Sequence, residues 1–251
     1  MSLASIWADH RAALNGWLAI PDGFASEIMA RQGWDSLTVD LQHGVVDYGA
    51  AVRMLTAIST TNVVPIVRVP WVDPGIIMKS LDAGALGVIC PMINSVDDAK
   101  LFANALRYAP RGGRSYGPIR ASLVHGGDYA TQANDLVTGF AMIETRQAVA
   151  VLDDILAVPG IDAVYIGPND LALTLGMAPQ FDPTHPTMME AIEHILARAK
   201  HHGKRAAIHT GSAGYAKMMV AKGFDLVTVG SDARFIAQGA AEAVAAFRAA
   251  G

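Results

Sequence analysis

The sequence predicts a single α/β domain over residues 1–251, folded as a (β/α)8 TIM barrel. Two observations carry this expectation. Eight short apolar or β-branched runs are each followed by a segment with helical spacing, and strict alternation of that kind builds a parallel sheet covered by helices. The chain has 251 residues, and a barrel of eight such units takes about 250, which suits one barrel better than two small domains.

In order, the runs and the helical segments after them are 16–20 with 25–32, 36–40 with 49–59, 63–69 with 74–83, and 87–91 with 96–107. The second half continues with 139–144 and 146–156, 163–167 and 186–202, 205–210 and 213–222, and 226–230 and 232–249. Punctuation agrees with these boundaries. Gly33, Gly84, Gly203 and Gly223 stand where helices end before strands, positions that want a left-handed residue. Pro74 and Pro186 open helices, where the missing N–H costs nothing. Only the stretch between Arg107 and Thr138 breaks the rhythm, with its Gly, Arg, Ser and Tyr. About thirty residues without a clear element inside a compact barrel point to a lid, a substrate loop or a subunit contact. Its glycines lack the strand–turn–helix context of a phosphate-binding loop.

Hydrophobic residues make up 52% of the chain and charged residues 17%. So few charges on alanine-rich helices suggest a face hidden against another subunit, hence a homo-oligomer. The net charge of −4, with aromatics at only 7%, argues against nucleic acid and against an anionic membrane surface. No uncharged run approaches the roughly 18 residues of a spanning helix, and residues 1–11 lack a signal-peptide core. Cys90 is the only cysteine, so no intrachain disulfide can form and a reducing cytoplasm is the expected compartment.

Polar residues collect at the C-terminal ends of four apolar runs: Asp40 and His43, Arg68, Glu144, and Asp170. In parallel barrels that end carries the active site. Either carboxylate alone could be a plain salt-bridge partner. Glu144 and Asp170 together can converge on one divalent cation, and an all-oxygen set favours Mg²⁺ or Mn²⁺, with Co²⁺ or Zn²⁺ next. Two protein ligands leave room for water and for a chelating 2-oxo acid such as pyruvate. The Asn169-Asp170 step reads as a helix start, where either residue could simply cap. Such a start also offers N–H groups to a substrate carboxylate, and the Gly167-Pro168 step lets the backbone come close.

Arg68 shares a strand face with Ile66. A guanidinium inside a barrel needs a partner, so Arg68 either bridges to Glu144 or Asp40 or clamps an oxyanion developing on substrate. We favour the clamp. Beside a metal and an arginine, His43 is the natural general base, with Asp40 or Asp82 as the carboxylate that would orient it. The remaining histidines show no ligand spacing, and His209 is a weak candidate for lining the pocket. No lysine sits at an expected strand end, which speaks against Schiff-base chemistry.

The segments Val39-Asp-Leu-Gln-His-Gly44, Pro65-Ile-Val-Arg-Val69, Leu81-Asp-Ala-Gly84, Arg114-Ser-Tyr-Gly117, Met142-Ile-Glu-Thr145 and Ile166-Gly-Pro-Asn-Asp-Leu171 together resemble the HpcH/HpaI aldolases. These are metal-dependent enzymes that cleave 4-hydroxy-2-oxo acids to pyruvate and an aldehyde. The likeness runs from Gly16 to the C-terminal helix. It implies a barrel whose last helix is exchanged between neighbours, usually in a hexamer. It also implies Glu144 and Asp170 as metal ligands and Arg68 as the group that stabilises the enolate. His43 would be the base acting through a metal-bound water, with Asp82 raising its basicity. Asp40 becomes a further active-site carboxylate, Trp17 an aromatic near the pocket, and Asn169 a backbone contact to substrate. Many members have Gln where this chain has Met142. Alternation puts Met142 on the face of Glu144, so a soft apolar contact replaces a polar one and the substrate need not match theirs.

The expected activity is therefore reversible retro-aldol cleavage, with oxaloacetate decarboxylation as a possible side activity through the same enolate. One rival is a CoA-ester lyase of the citrate lyase β/malyl-CoA lyase type, for which Arg111, Arg114 and Arg120 would have to form a CoA-binding surface. A rival of another class is a catalytically silent barrel acting as a binding or assembly subunit.

Overall fold

The computed structural model describes residues 2–249; Met1, Ala250 and Gly251, which the expected domain includes, lie outside the described residues. The strands are β1 Ala13–Leu18, β2 Ser36–Asp40, β3 Val64–Arg68, β4 Gly87–Cys90, β5 Thr138–Ile143, β6 Ala163–Ile166, β7 Arg205–Thr210 and β8 Leu226–Ser231. The helices are α1 Leu3–Ala8, α2 Gly23–Ala30, α3 Tyr48–Ile58, α4 Pro74–Asp82, α5 Val96–Leu106, α6 Ile119–His125 and α7 Tyr129–Leu136. They continue with α8 Arg146–Ala150, α9 Leu152–Leu156, α10 Pro168–Thr174, α11 Pro186–His201, α12 Ala213–Lys222 and α13 Asp232–Ala249. Each strand pairs in parallel with the next, and β8 closes on β1. This is the (β/α)8 barrel that the alternation predicts.

Two apolar zones hold it together. Outward residues of the strands, such as Val39, Val67, Ile143 and Ile166, pack against the helices. Inward residues, such as Ile66, Phe140 and Tyr165, fill the barrel. Both faces of β2 are buried at every position, as a parallel sheet covered on both sides requires. Below the barrel, Leu3, Ile6 and Trp7 of α1 join the inner zone. The Trp7 indole N–H donates to the Asp225 carbonyl at 2.8 Å. Among the described residues, α1 thus packs across the floor of the barrel.

The glycines expected to end helices do so: Gly33, Gly84, Gly203 and Gly223 all have positive φ, between 67° and 108°. Three expectations are refined. β1 begins at Ala13 rather than 16 and ends at Leu18. Polar Asn15 disguises it, being buried inside the barrel with its amide bonded to Thr228, Ser36 and Thr38. The expected helix 146–156 is broken at Val151 into α8 and α9. The long break after Arg107 contains α6 and α7. Arg120 of α6 donates to the carbonyls of Ala83 and Leu55, using a cation to satisfy the exposed C-terminal carbonyls of α3 and α4.

The last helix stands apart. Beyond Asp232, α13 is exposed along its described length, with Ile236 59% and Phe247 85% accessible.

Candidate active site

β2 and β3 pair in a register that sets Asp40 opposite Arg68. Both side chains point inward at the mouth, and the carboxylate takes the guanidinium side-on. Arg68 Nε donates to Asp40 Oδ1 at 2.8 Å and Nη2 donates to Oδ2 at 2.6 Å. The Trp17 indole N–H donates to the same carboxylate at 3.1 Å, and the Arg68 guanidinium lies 4.8 Å from the Trp17 ring centre. Two N–H groups of the following loop, from Gln42 and His43, also donate to Asp40. Gly44 lets that loop fold tightly, because a Cβ there would collide with the Asp40 carbonyl. Burial pushes the Asp40 carboxyl up, but the Arg68, Trp17 and Gln42 bonds outweigh it and hold the group below its ordinary value. Asp40 is therefore an ionised anchor behind Arg68 and Trp17. Of the two alternatives set out above for Arg68, the salt bridge forms, and because it leaves Nη1 free of the pair it does not exclude the clamp.

Across the mouth, Glu144 follows the last residue of β5 and is only 2% exposed. Its Oε1 accepts the Met92 backbone N–H at 2.8 Å. Burial, with the Asp170 charge adding to it against Met92 and Arg68, pushes its carboxyl up to about 7. Asp170 lies in the first turn of α10, where Pro168 occupies the first position and Gly167 the cap. Neither Asn169 nor Asp170 caps the helix, which leaves both side chains free. A Cβ at Gly167 would run into the Glu144 carboxylate and the Met142 methyl, so only glycine allows β6 to come so close. Among the described residues, no three or more His, Cys, Asp or Glu side chains form a metal cage. The residues present nonetheless fit a dication: a buried carboxylate destabilised by a second one beside it is the arrangement that a positive charge relieves.

A cavity of about 270 Å³ joins these groups, lined by Trp17, His43, Arg68, Met142, Glu144 and Asp170 together with Gly167, Pro168 and Asn169. That volume suits a short substrate. Of the expected site residues, Asp40 stands behind the lining and Asp82 is elsewhere. Asp82 ends α4, and its carboxylate accepts from Arg114 Nη2 at 2.7 Å. Barrel helices run away from the mouth, so the last residue of α4 is carried to the other end. Within one chain Asp82 does not orient His43. Nor does Asp40, whose carboxylate reaches only the His43 backbone N–H.

The three arginines considered for CoA do not make a common surface. Arg114 is buried beneath Tyr108 and paired with Asp82, Arg120 caps α3 and α4, and Arg111 pairs with Asp135.

Sequence reasoning missed Tyr165, Phe181 and Arg234, which also line the cavity, and gave His209 little weight. Tyr165 shares a face with Gly167 by alternation, a signal that was present. Phe181 and Arg234 come from a loop and a helix start, where no periodicity marks them.

The model of a family described as HpcH/HpaI aldolase/citrate lyase matches residues 17–238. A hydroxypyruvate/pyruvate aldolase of Rhizorhabdus wittichii is 46% identical over 97% of each chain. A 4-hydroxy-2-oxo-heptane-1,7-dioate aldolase of Salmonella dublin is 36% identical over 94% of this chain and 90% of its own. Among solved structures, an HpcH/HpaI aldolase from Desulfitobacterium hafniense superposes with a TM-score of 0.90 at 26% identity, covering 99% of this chain and 97% of that one.

Proposed function

The chain belongs to the HpcH/HpaI aldolase/citrate lyase family, and on that premise we propose that it is a divalent-metal-dependent pyruvate aldolase. It cleaves 4-hydroxy-2-oxo acids reversibly to pyruvate and an aldehyde. The observation that carries this is the meeting of Glu144 and Asp170 with Arg68 and His43 around one cavity. The name of the Rhizorhabdus relative adds hydroxypyruvate as a second 2-oxo acid worth testing in place of pyruvate.

Glu144 and Asp170 would hold the cation, Mg²⁺ or Mn²⁺ before Co²⁺ or Zn²⁺. When bound, it supplies Lewis-acid polarisation of the 2-oxo acid head. The chain's own groups do the rest. Arg68, pinned side-on by Asp40, presents its free Nη1 to the C2 oxygen, where charge grows as the C3–C4 bond breaks; a preorganised donor there costs no reorganisation. His43, at the rim, takes the proton of the C4 hydroxyl and releases the aldehyde. Met142, packed beside Gly167, gives the substrate an apolar wall.

The exposed face of α13 supports assembly through exchange of that helix, and we extend the reading to a hexamer. The role that the family resemblance gives Asp82, raising the basicity of His43, then requires contact between copies of the chain. No helix among the described residues is long and apolar enough to cross a membrane, in keeping with a cytoplasmic enzyme. The CoA-ester rival lacks its basic surface. A side-by-side assay of pyruvate release from 4-hydroxy-2-oxo acids and of cleavage of acyl-CoA esters tests the choice: turnover of the CoA esters alone would reverse it.

A further inference from the structure

The cavity contains a histidine that the reaction above does not use. His209 of β7 sits edge-on to Trp17, with ring centres 4.9 Å apart, and 5.6 Å from Phe181. It lines the same cavity as Arg68, Glu144 and Asp170 but hydrogen-bonds to none of them, which leaves it for a part of the substrate beyond the 2-oxo acid head. Its Nδ1 is 3.2 Å from the Tyr165 hydroxyl. That hydroxyl is 2.7 Å from Thr228 Oγ1, and Thr228 Oγ1 accepts from Asn15 Nδ2 at 2.9 Å. Asn15, Tyr165 and Thr228 are all 0% exposed.

This chain of bonds runs in one direction. An amide NH2 only donates, so the Thr228 oxygen is an acceptor from Asn15. The Asn15 carbonyl oxygen is occupied by the hydroxyls of Ser36 and Thr38. The Thr228 hydroxyl has one other partner, the Tyr165 oxygen, and uses its proton only by donating there. Tyr165 is then left to donate to His209 Nδ1. A neutral imidazole that accepts at Nδ1 carries its proton on Nε2, the nitrogen left for the cavity.

We propose that His209 determines specificity for the aldehyde half, as a neutral, tautomer-fixed Nε2–H donor to a hydroxyl or carbonyl oxygen beyond C4. Tyr165 is its positioning residue. This rests on the aldolase reading and names the substrate class that the reading leaves open: polar, hydroxylated or oxo-substituted aldehydes rather than alkyl ones. Neutrality is supported by the surroundings. Burial, then the charges of Arg68 and Arg234, push the imidazole down to about 4, against the opposing Asp40. His209 is not a second base, since its one lone pair is committed to Tyr165. A buried donor facing an alkyl aldehyde would go unpaired, which is how such a site rejects the wrong substrate.

Two readouts test this on the full-length native assembly. Imidazole ¹⁵N spectra of the metal-loaded protein should show His209 as the Nε2–H tautomer at pH 6–8, and Tyr165→Phe should shift it to a mixture. An Nδ1–H or a protonated ring in the native protein would overturn the proposal. Kinetically, the ratio of kcat/KM for a 4,5-dihydroxy-2-oxo acid to that for its 5-deoxy analogue should fall about tenfold in His209→Phe. Taking the ratio within each variant cancels any general loss of activity, and an unchanged ratio would sink the proposal. If the native protein cleaves neither substrate, the aldolase reading itself fails, and the spectra then judge the tautomer separately from it.

Discussion

Asp40 and Arg68 face each other across the β2–β3 register and share two hydrogen bonds, of 2.8 and 2.6 Å. The pair fixes the guanidinium before any substrate arrives. Arg68→Ala should lower aldol cleavage and oxaloacetate decarboxylation together, by about 10²–10³ in kcat, because both pass through the same enolate. Arg68→Lys should rescue little, since an ammonium cannot reproduce the side-on fork. Steady-state assays of both reactions check this; survival of one alone would remove Arg68 from its role.

The same pair has a stability signature. Asp40→Asn leaves the Arg68 charge without its partner and should cost about 3 kcal/mol in denaturant unfolding. The Asp40 carboxyl lies below its ordinary value in the fold. Its contribution is therefore full above the unfolded value and is lost as the pH falls through the folded one. An acid titration of stability should show this loss in the native protein and not in Asp40→Asn.

His43→Ala should harm aldol cleavage at least tenfold more than decarboxylation, which has no hydroxyl proton to remove. Equal losses in the two assays would count against His43 as the base.

Glu144 makes metal binding dependent on pH. With its carboxyl raised to about 7, metal-free protein holds a proton there below that value, and the cation must displace it. Calorimetric affinity for Mn²⁺ should be about tenfold weaker at pH 6 than at pH 8. In the metal-free protein the sign is opposite to that of Asp40: the raised carboxyl favours folding as pH falls from about 7 towards 4.5. Glu144→Gln should abolish metal binding while leaving the metal-free fold at least as stable.

Gly167→Ala tests the close approach of β6 to the metal carboxylate. The added methyl meets Glu144 and Met142 and should cost about 1–3 kcal/mol in stability. It should also weaken Mn²⁺ binding, read by calorimetry.

The meeting of Arg68, Glu144 and Asp170 around one cavity was legible because each is a charge at the end of an apolar run, and in a parallel barrel those ends converge on the mouth. The eight strands were legible for the same reason that the sheet is buried: near-continuous β-branched runs are rare elsewhere. The position of Asp82, away from its own chain's His43, was not legible, because a motif gives order along the sequence but not which end of a helix reaches the mouth. The Asn15–Thr228–Tyr165–His209 chain was invisible, since it needs the registers of β1, β6, β7 and β8 at once. Polar residues inside a strand announce burial but not their partners.

The most direct measurement is pyruvate release from a panel of 4-hydroxy-2-oxo acids after metal is stripped with EDTA and then restored as Mg²⁺, Mn²⁺ or Co²⁺. Activity that vanishes with the chelator and returns with a cation, and that Glu144→Gln cannot recover, is the predicted result. Pyruvate release undiminished in metal-free protein, or none with any cation, would contradict a metal-dependent pyruvate aldolase.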